Sequence, residues 1–405
     1  MAKPLQHISH TAPGATRRRA GATRHSTLDG SNTMTSFRFG HAADPDWRQA
    51  VDRCLTQIGS VPQEATLGFL YVTDALADEL DEIIRTFRGA TGVDQWVGSI
   101  GLGICATGAE YYEEPAIAVM LGEFPTEDFR VFPSLVEDLD DFDLRNGEWM
   151  GANPPYLGLV HGDPSNALTE ALIQQLAQRT TAGFLVGGLA SARADALTIA
   201  DGVTRGGLSG VLFSERVGIL TRLSQGCSPI GPHHVISEGQ RNILMRLDGE
   251  PALDVLKRDI GEILARDLSR LGGYIFAGLP IQGSDTGDYL VRNLVGIDPN
   301  HGLVAIGDLV EPGRELMFCR RDADTAREDL DRMLKGIKGR LPAPPRGGIY
   351  VSCLGRGVNL FGPDSAELKQ IHAALGDVPI VGFYANGEIS QDRLYGYTGV
   401  LTLFT

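Results

Sequence analysis

The chain has 405 residues, of which 42% are hydrophobic and 21% are charged, a composition typical of a globular protein that can bury a large core. Its formal net charge of -15 argues against a general nucleic-acid-binding protein, because such proteins present a basic face. No stretch approaches the ~20 apolar residues that a membrane-spanning helix requires.

The first 35 residues differ in composition from the rest. An Arg-Arg-Arg run begins at Arg17, no acidic residue precedes Asp29, and apolar residues do not recur at any regular spacing. Such a segment buries too little apolar surface to order itself, so we expect a disordered tail. A transit peptide and a translation start at Met34 remain open as alternatives.

A helix is predicted from Asp44 to Ile58, and then a strand, a helix and two further strands recur three times. The first unit runs from Leu67 to Leu121, the second from Leu157 to Phe213 and the third from Ile349 to Phe404. In each unit, apolar runs of strand length flank a segment whose apolar residues have helical spacing. The spacing of the units is too irregular for a solenoid.

The middle strand of each unit contains a glycine, namely Gly98, Gly187 or Gly382. A glycine there lets another backbone or a ligand approach closely, and we include Gly187 and Gly382 among the predicted ligand-contacting residues. The predicted fold is therefore α/β (mixed α+β), with repeated β-α-β-β units forming packed sheets flanked by helices, in two lobes.

Two helix starts are predicted inside the repeats. Asp163, followed by proline, is typical of an N-cap residue with proline at the first helical position. Asp364 with Glu367 resembles a capping box. Between the second and third units, a further helix is expected from Pro251, with a break at Gly261.

The first two strands of the third unit end in glycines and polar side chains. Cys353, Arg356 and Gly357 follow the first strand, and Asn386 and Glu388 follow the second. Binding residues are common at such strand ends. Arg356 would hold a carboxylate in a fork and Glu388 an ammonium group, which predicts a site for a zwitterion. The alternative is an internal ion pair between Arg356 and Glu388 that fixes the turns.

Histidine and cysteine offer further chemistry. His161 ends a strand beside a predicted helix start, where an anion or haem iron would bind, and a structural histidine is the alternative. The adjacent His233 and His234 point to opposite faces of a strand, so we predict no metal site. Cys353 would be a nucleophile if Arg356 lowered its pKa. The five cysteines include no C-x-x-C pair, which favours a reduced, cytoplasmic protein.

Five motifs follow one another along the chain: Gln225–Pro232, Leu247–Leu253, Leu290–Asp298, Cys353–Gly357 and Gly382–Ile389. Together they resemble the FIST (F-box and intracellular signal transduction) sensory domain family with its N-terminal and C-terminal regions. The resemblance covers nearly everything after the tail, and so many ordered motifs are specific. After the tail at 1–35, it implies a FIST N-terminal domain at 36–248 and a FIST C-terminal domain at 249–405.

The resemblance implies an intracellular sensor that binds a small ligand, such as an amino acid or a related metabolite. It would signal through a separate protein such as a kinase or another output domain, with no role for nucleic acid or membrane insertion. Some relatives bind haem and sense nitric oxide, so a haem-based gas sensor is one alternative. An uncharacterised enzyme using Cys353 or Glu388 is another. The family implies no settled catalytic residues, and we predict neither a catalytic site nor a cofactor, with haem the open exception.

Overall fold

The computed structural model describes residues 37–281 and 288–405. The predicted tail therefore lies outside the described residues. The described chain forms one compact unit with 26 strands and seven helices. The helices are α1 (Trp47–Ile58), α2 (Leu80–Thr91), α3 (Asp140–Ala152), α4 (Thr169–Ala177), α5 (Ala252–Ala265), α6 (Ala323–Lys338) and α7 (Ala366–Leu375).

The strands fall into three stretches of the chain. Those before the second repeat are β1 (Arg38–Ala43), β2 (Leu67–Thr73), β3 (Gln95–Gly101), β4 (Gly103–Ala106), β5 (Ala109–Tyr112), β6 (Ala116–Gly122) and β7 (Phe129–Leu135). Those of the second repeat and the segment after it are β8 (Pro155–Gly162), β9 (Phe184–Leu189), β10 (Thr198–Ala200), β11 (Val203–Thr204), β12 (Leu208–Ser214), β13 (Ile219–Gln225), β14 (Cys227–Pro229), β15 (His234–Gln240), β16 (Ile243–Leu247) and β17 (Glu250–Pro251). The remainder are β18 (Ile275–Pro280), β19 (Tyr289–Asp298), β20 (Leu303–Ile306), β21 (Glu315–Arg321), β22 (Gly347–Cys353), β23 (Ile380–Ala385), β24 (Glu388–Ser390), β25 (Arg393–Tyr395) and β26 (Thr398–Phe404).

The three predicted β-α-β-β units are present as β2-α2-β3-β6, β8-α4-β9-β12 and β22-α7-β23-β26. In each unit the first two strands are parallel, and the last strand lies antiparallel on the other side of the first. A strand from earlier in the chain, β1, β7 or β13, pairs with that last strand. The three units therefore share one order of four strands, and the prediction of a mixed α/β fold is confirmed.

The glycines of the middle strands occupy equivalent places, as predicted. Each lies in register with a residue of its unit's first strand, and the pairs are Gly98 with Leu70, Gly187 with Val160 and Gly382 with Tyr350. A Cβ atom would lie 1.8 Å from the partner's carbonyl oxygen at the first two glycines and 1.7 Å from it at the third. Close backbone approach, and not ligand contact, therefore requires glycine at these positions.

Hairpins are exchanged among the three units in a cycle. The hairpin β4-β5 of the first unit pairs with β23 of the third, β24-β25 of the third pairs with β9 of the second, and β10-β11 of the second pairs with β3 of the first. Each exchange completes a six-stranded sheet. Two of these sheets contain strands from both sides of the predicted boundary between residues 248 and 249. The boundary between residues 248 and 249, predicted to separate the two FIST domains, stays a prediction.

Apolar side chains form one core among the three six-stranded sheets, and helices cover the sheets' outer faces. The shared core includes Tyr71, Leu159, Val186, Val351 and Phe383. A second region, an eight-stranded sheet closed by the pairing of β18 with β21, has its own core against α5. The loops at the ends of β22 and β23 lie beside strand β19 of this closed sheet.

Helix α5 has the predicted break, because Gly261 adopts φ 78° and ψ 164°. Helix α1 starts three residues later than predicted, after Asp46, whose side chain accepts a hydrogen bond from the amide of Arg48. In the described residues, no helix has the length and apolar content needed to cross a bilayer.

The helix start predicted at Asp163 is wrong. Helix α4 begins at Thr169, and its N-cap residue makes no side-chain hydrogen bond. Asp163 Oδ1 instead accepts from the amide of Ser165 at 2.8 Å, and Oδ2 accepts from the amide of Gly206 at 3.0 Å. The aspartate thus stabilises a turn at the end of β8, which is the competing use of an aspartate before proline.

The predicted capping box at Asp364 is also wrong. Asp364 and Ser365 adopt positive φ values of 62° and 56°, and helix α7 begins at Ala366 with no side-chain cap. Glu367 is fully buried and turns into the protein, away from the helix end. Its carboxylate serves a different partner, described below.

Candidate functional site

A cavity of about 360 Å³ lies where β22 and β23 end. Because these strands are parallel and adjacent, their carboxyl ends meet at one edge of the sheet, where ligands commonly bind in α/β proteins. Cys353 and Ala385, the last residues of the two strands, line the cavity together with Gly355, Asn386 and Gly387. The opposite wall comes from the closed sheet, through Val291, Arg292, Asn293 and Gly307.

Two of the residues predicted to bind a ligand line this cavity. Asn386 is exposed, and it also lines a second cavity of about 310 Å³ next to Asp163. Cys353 is partly exposed, whereas the other four cysteines are buried. Cys353 and Asn386 therefore both line a cavity, and their binding of a ligand stays a prediction.

Glu388 lies behind Cys353 and is fully buried. Its Oε2 accepts hydrogen bonds from the amide and hydroxyl of Thr398, at 3.0 and 2.9 Å, while Oε1 has no partner among the described residues. Burial raises the pKa of Glu388 to about 8, although Thr398, Cys353 and Arg356 oppose the shift. Near neutral pH this carboxyl group is therefore mostly protonated.

Arg356, expected to hold a ligand carboxylate or else to pair with Glu388, pairs with Glu367. Its side chain is fully buried, and Nε donates to Glu367 Oε1 at 2.8 Å. The amide of Gly357 donates to the other oxygen of Glu367 at 2.8 Å, and the ring of Phe361 lies 5.0 Å from the guanidinium. Burial works against the charge of Arg356, but Glu367 raises its pKa. The alternative of an ion pair between Arg356 and Glu388 is therefore wrong, and Arg356 forms an internal ion pair with Glu367 instead.

Three glycines were also predicted to contact a ligand, and each instead lies where the protein itself packs closely. Gly357 has a positive φ of 49°, and a Cβ there would lie 1.8 Å from the hydroxyl of Tyr112. This glycine is buried in a turn, and it does not line the cavity at the ends of β22 and β23. Gly187 and Gly382 lie within their sheets, at the close backbone approaches described above.

His161 is also part of the core. It is fully buried, its Nε2 lies 3.1 Å from the hydroxyl of Tyr71, and its ring lies 5.8 Å from that of Phe383. Burial lowers the pKa of His161 to about 3, so the ring is neutral. With α4 beginning eight residues further on, the helix N-terminus expected beside His161 is absent from this place.

His233 and His234 point to opposite faces, as predicted. The His233 side chain is 53% exposed and pairs with Glu315, whereas His234 is 3% exposed. His234 lies between Asp248, 2.6 Å from Nδ1, and Asp259, 2.8 Å from Nε2. Sequence reasoning missed these acidic partners because they lie 14 and 25 residues away along the chain.

Sequence reasoning missed most of the residues that line the cavity, and three of them carry polar side chains of interest. Arg292 comes from β19 and donates from Nε to Asp308 at 2.8 Å. Glu170 is exposed at the start of α4. Tyr397 has a positive φ of 62°, an uncommon conformation for a bulky residue, and its hydroxyl donates to Asn293 at 2.9 Å. Arg292 and Asn293 belong to one of the motifs quoted above, but nothing local indicated that they face the ends of β22 and β23.

Comparison with protein families gives two adjacent matches. The FIST N domain matches residues 66–250, and the FIST C domain matches residues 252–391. An uncharacterized protein of Mycobacterium tuberculosis is 29% identical over 391 residues, which cover 90% of this chain and 98% of that protein. An uncharacterized protein of Mycobacterium bovis is also 29% identical, with 90% of this chain and 97% of that protein covered.

Proposed function

Because this chain belongs to the FIST family, whose domains are associated with sensing in signal transduction, we propose that it is a sensory protein that binds a small ligand in the cavity at the ends of β22 and β23. We expect it to act in the cytoplasm, since all five of its cysteines are free thiols. The signal would pass to a separate partner, such as a kinase or another output domain.

The observation that carries the proposal is the cavity itself. It has a volume of about 360 Å³, it lies at the end of two parallel strands, and polar side chains from three parts of the chain converge on it. Sites for small molecules are usually concave, largely preformed, and equipped with a few polar groups that orient the ligand. The volume suits a molecule of amino-acid size.

The charges in the cavity support a zwitterionic ligand such as an amino acid. Arg292 uses Nε for Asp308, and in the part of the chain that the structure describes its two terminal nitrogens make only long contacts of 3.3 and 3.4 Å, with backbone oxygens. Those nitrogens can therefore turn to a carboxylate and hold it with two hydrogen bonds. Glu170, on another side of the same cavity, would hold the ammonium group. Arg292 thus takes the role that the sequence assigned to Arg356.

A thermal-shift screen of amino acids and related metabolites tests the proposal, followed by titration calorimetry on the best ligand. Arg292→Gln should weaken binding by roughly 10- to 150-fold, the effect of losing a charge-assisted contact of about 1.5–3 kcal/mol. Arg53→Gln is the matched control, because Arg53 also pairs with an aspartate, Asp44, but lies on α1 and not in the cavity. Equal affinities of wild type and Arg292→Gln would exclude the cavity as the binding site.

A further inference from the structure

Cys353 combines two properties that the other cysteines lack. It lines a cavity of about 360 Å³, and it is partly exposed, whereas Cys54, Cys105, Cys227 and Cys319 are buried. Its sulfur accepts a hydrogen bond from the amide of Gly355 at 3.4 Å. A donor of this kind stabilises the thiolate once it forms.

A carboxyl group with a spare oxygen lies next to this thiol. Glu388 uses Oε2 for the two hydrogen bonds from Thr398, and its buried Oε1 has no hydrogen-bond partner within residues 37–281 and 288–405. A buried oxygen without a hydrogen bond is costly, so it calls for an explanation. The Cys353 thiol is the neighbouring group, near enough that each group shifts the other's pKa.

From this arrangement we propose that Cys353 is a thiol–disulfide exchange site, at which the cavity takes small disulfides as covalent ligands and Glu388 accepts the thiol proton. The inference deepens the proposed function, because it concerns the same cavity. It adds a redox response to the site: the fraction of protein carrying a mixed disulfide would follow the disulfide-to-thiol ratio of the surroundings.

The step balances with a disulfide R–S–S–R as the only co-reactant. Glu388 takes the proton from Cys353, and the thiolate attacks one sulfur of the disulfide. A bond forms between Cys353 Sγ and that sulfur while the R–S–S–R bond breaks, with its electron pair leaving on the second sulfur. That thiolate takes the proton from Glu388 and departs as R–SH. Cys353 is oxidised to a mixed disulfide, and half of the small disulfide is reduced.

The surroundings explain why the carboxylate is needed. Burial and then the charge of Glu388 raise the pKa of Cys353, so little thiolate forms without a base. The other groups facing this pair are Thr398, the backbone of Tyr397 and the buried Arg356, and each of them favours an ionised form. Glu388 becomes a base only as the pH rises through about 8.

Intact-mass spectrometry after exposure to hydroxyethyl disulfide tests the inference, with peptide mapping to locate the adduct. Folded wild-type protein should gain one hydroxyethylthio group, at Cys353, and Cys353→Ser should gain none. The four buried cysteines are internal controls, because they should react only after denaturation. An adduct at another cysteine, or no adduct on the folded protein, would overturn the proposal.

Glu388→Gln tests the role of the carboxylate. At pH 8 the exchange should slow by on the order of 10²-fold, the usual contribution of a positioned base. The wild-type rate should level off above about pH 8, whereas the variant's rate should keep rising with ionisation of the thiol itself. Glu110→Gln, which removes another carboxyl group of raised pKa, about 7, is the matched control and should react as the wild type does. Equal or faster exchange in Glu388→Gln would overturn the proposal; should that variant not fold, a wild-type rate without a plateau would do so.

Failure of this inference is distinguishable from failure of the proposed function. Cys353→Ser cannot form the mixed disulfide, so any ligand found by calorimetry on that variant binds without covalent chemistry. If Cys353→Ser binds the ligand and the wild-type protein is not labelled, the exchange proposal is contradicted and the sensor proposal stands. If Cys353 is labelled and the screen finds no non-covalent ligand, the sensor proposal is contradicted and the exchange proposal stands.

Discussion

Arg356 and Glu367 form an ion pair with both side chains fully buried, with Arg356 Nε 2.8 Å from Glu367 Oε1. The pair joins the loop after β22 to the first turn of α7, and Arg356 also reaches the backbone oxygen of Ser224 on β13. Two charges removed from water in this way are tolerated only because each satisfies the other.

Removing one partner of the Arg356–Glu367 pair should therefore lower the stability of the folded protein. Arg356→Met leaves Glu367 buried without a counter-charge, and we expect the free energy of unfolding to fall by about 3–5 kcal/mol, measured by urea denaturation. The double variant Arg356→Met/Glu367→Leu should recover much of the loss, because no uncompensated charge remains. An unchanged urea midpoint in Arg356→Met would show that the pair does not contribute to stability.

Glu388 should make stability fall as the pH rises. Its pKa is near 4.5 in the unfolded chain and about 8 in the folded protein, so the folded state keeps its proton longer. The contribution of this group is fully present below about pH 4.5, declines as the pH rises from there, and is lost above about pH 8. Glu388→Gln removes this titration, so its stability relative to wild type should increase between those two pH values in urea melts. A constant difference across that range would contradict the shifted pKa.

The glycines of the middle strands should not tolerate a methyl group. Gly382→Ala would place Cβ 1.7 Å from the carbonyl oxygen of Tyr350, which is backbone and cannot move aside cheaply. We expect a loss of about 3 kcal/mol in thermal or urea unfolding. Gly147→Ala is the control, because Gly147 is exposed within α3 with nothing near its Cβ position, and alanine there should stabilise the helix by up to about 1 kcal/mol. Equal effects of the two substitutions would refute the close-approach argument.

Haem should not bind through His161. Its Nε2 faces Tyr71 in the shared core, so iron could reach the ring only if three sheets separated. Titration of the purified protein with haem should leave the visible spectrum as that of free haem. A stoichiometric Soret band that shifts with nitric oxide, and that His161→Ala abolishes, would restore the gas-sensor alternative.

The sequence predicted those features that local patterns encode. Apolar periodicity identifies each strand and helix of the three units, and the middle-strand glycines mark the same close approach each time. Cys353 and Asn386 could be placed together because neighbouring parallel strands end at one edge of a sheet. Glycine, however, signals a close approach without saying whether a ligand or a backbone makes it, and at Gly187 and Gly382 it is a backbone.

Features that depend on distant pairing were not predictable. Glu367 fits the pattern of a capping box as well as that of an ion-pair partner, and only the packing of α7 on β22 decides between them. Arg292 reaches the cavity from β19, which lies outside the third unit and is not part of the repeat. The exchange of hairpins also leaves no local signal, because β4 and its partner β23 are separated by most of the chain.

The cyclic exchange of hairpins has a consequence for synthesis of the chain. The sheet of the second unit exposes the unpaired edge of β9 until β24, at residues 388–390, has left the ribosome, and an open strand edge invites pairing with other chains. The edge of β3 in the first unit likewise stays unpaired until β10 has been made. The repeats therefore cannot complete their sheets one at a time during synthesis. Chains truncated before residue 388 should aggregate on release, and sedimentation of a truncation series would measure this. Residues 388–390 therefore decide whether the strands made before them stay in solution.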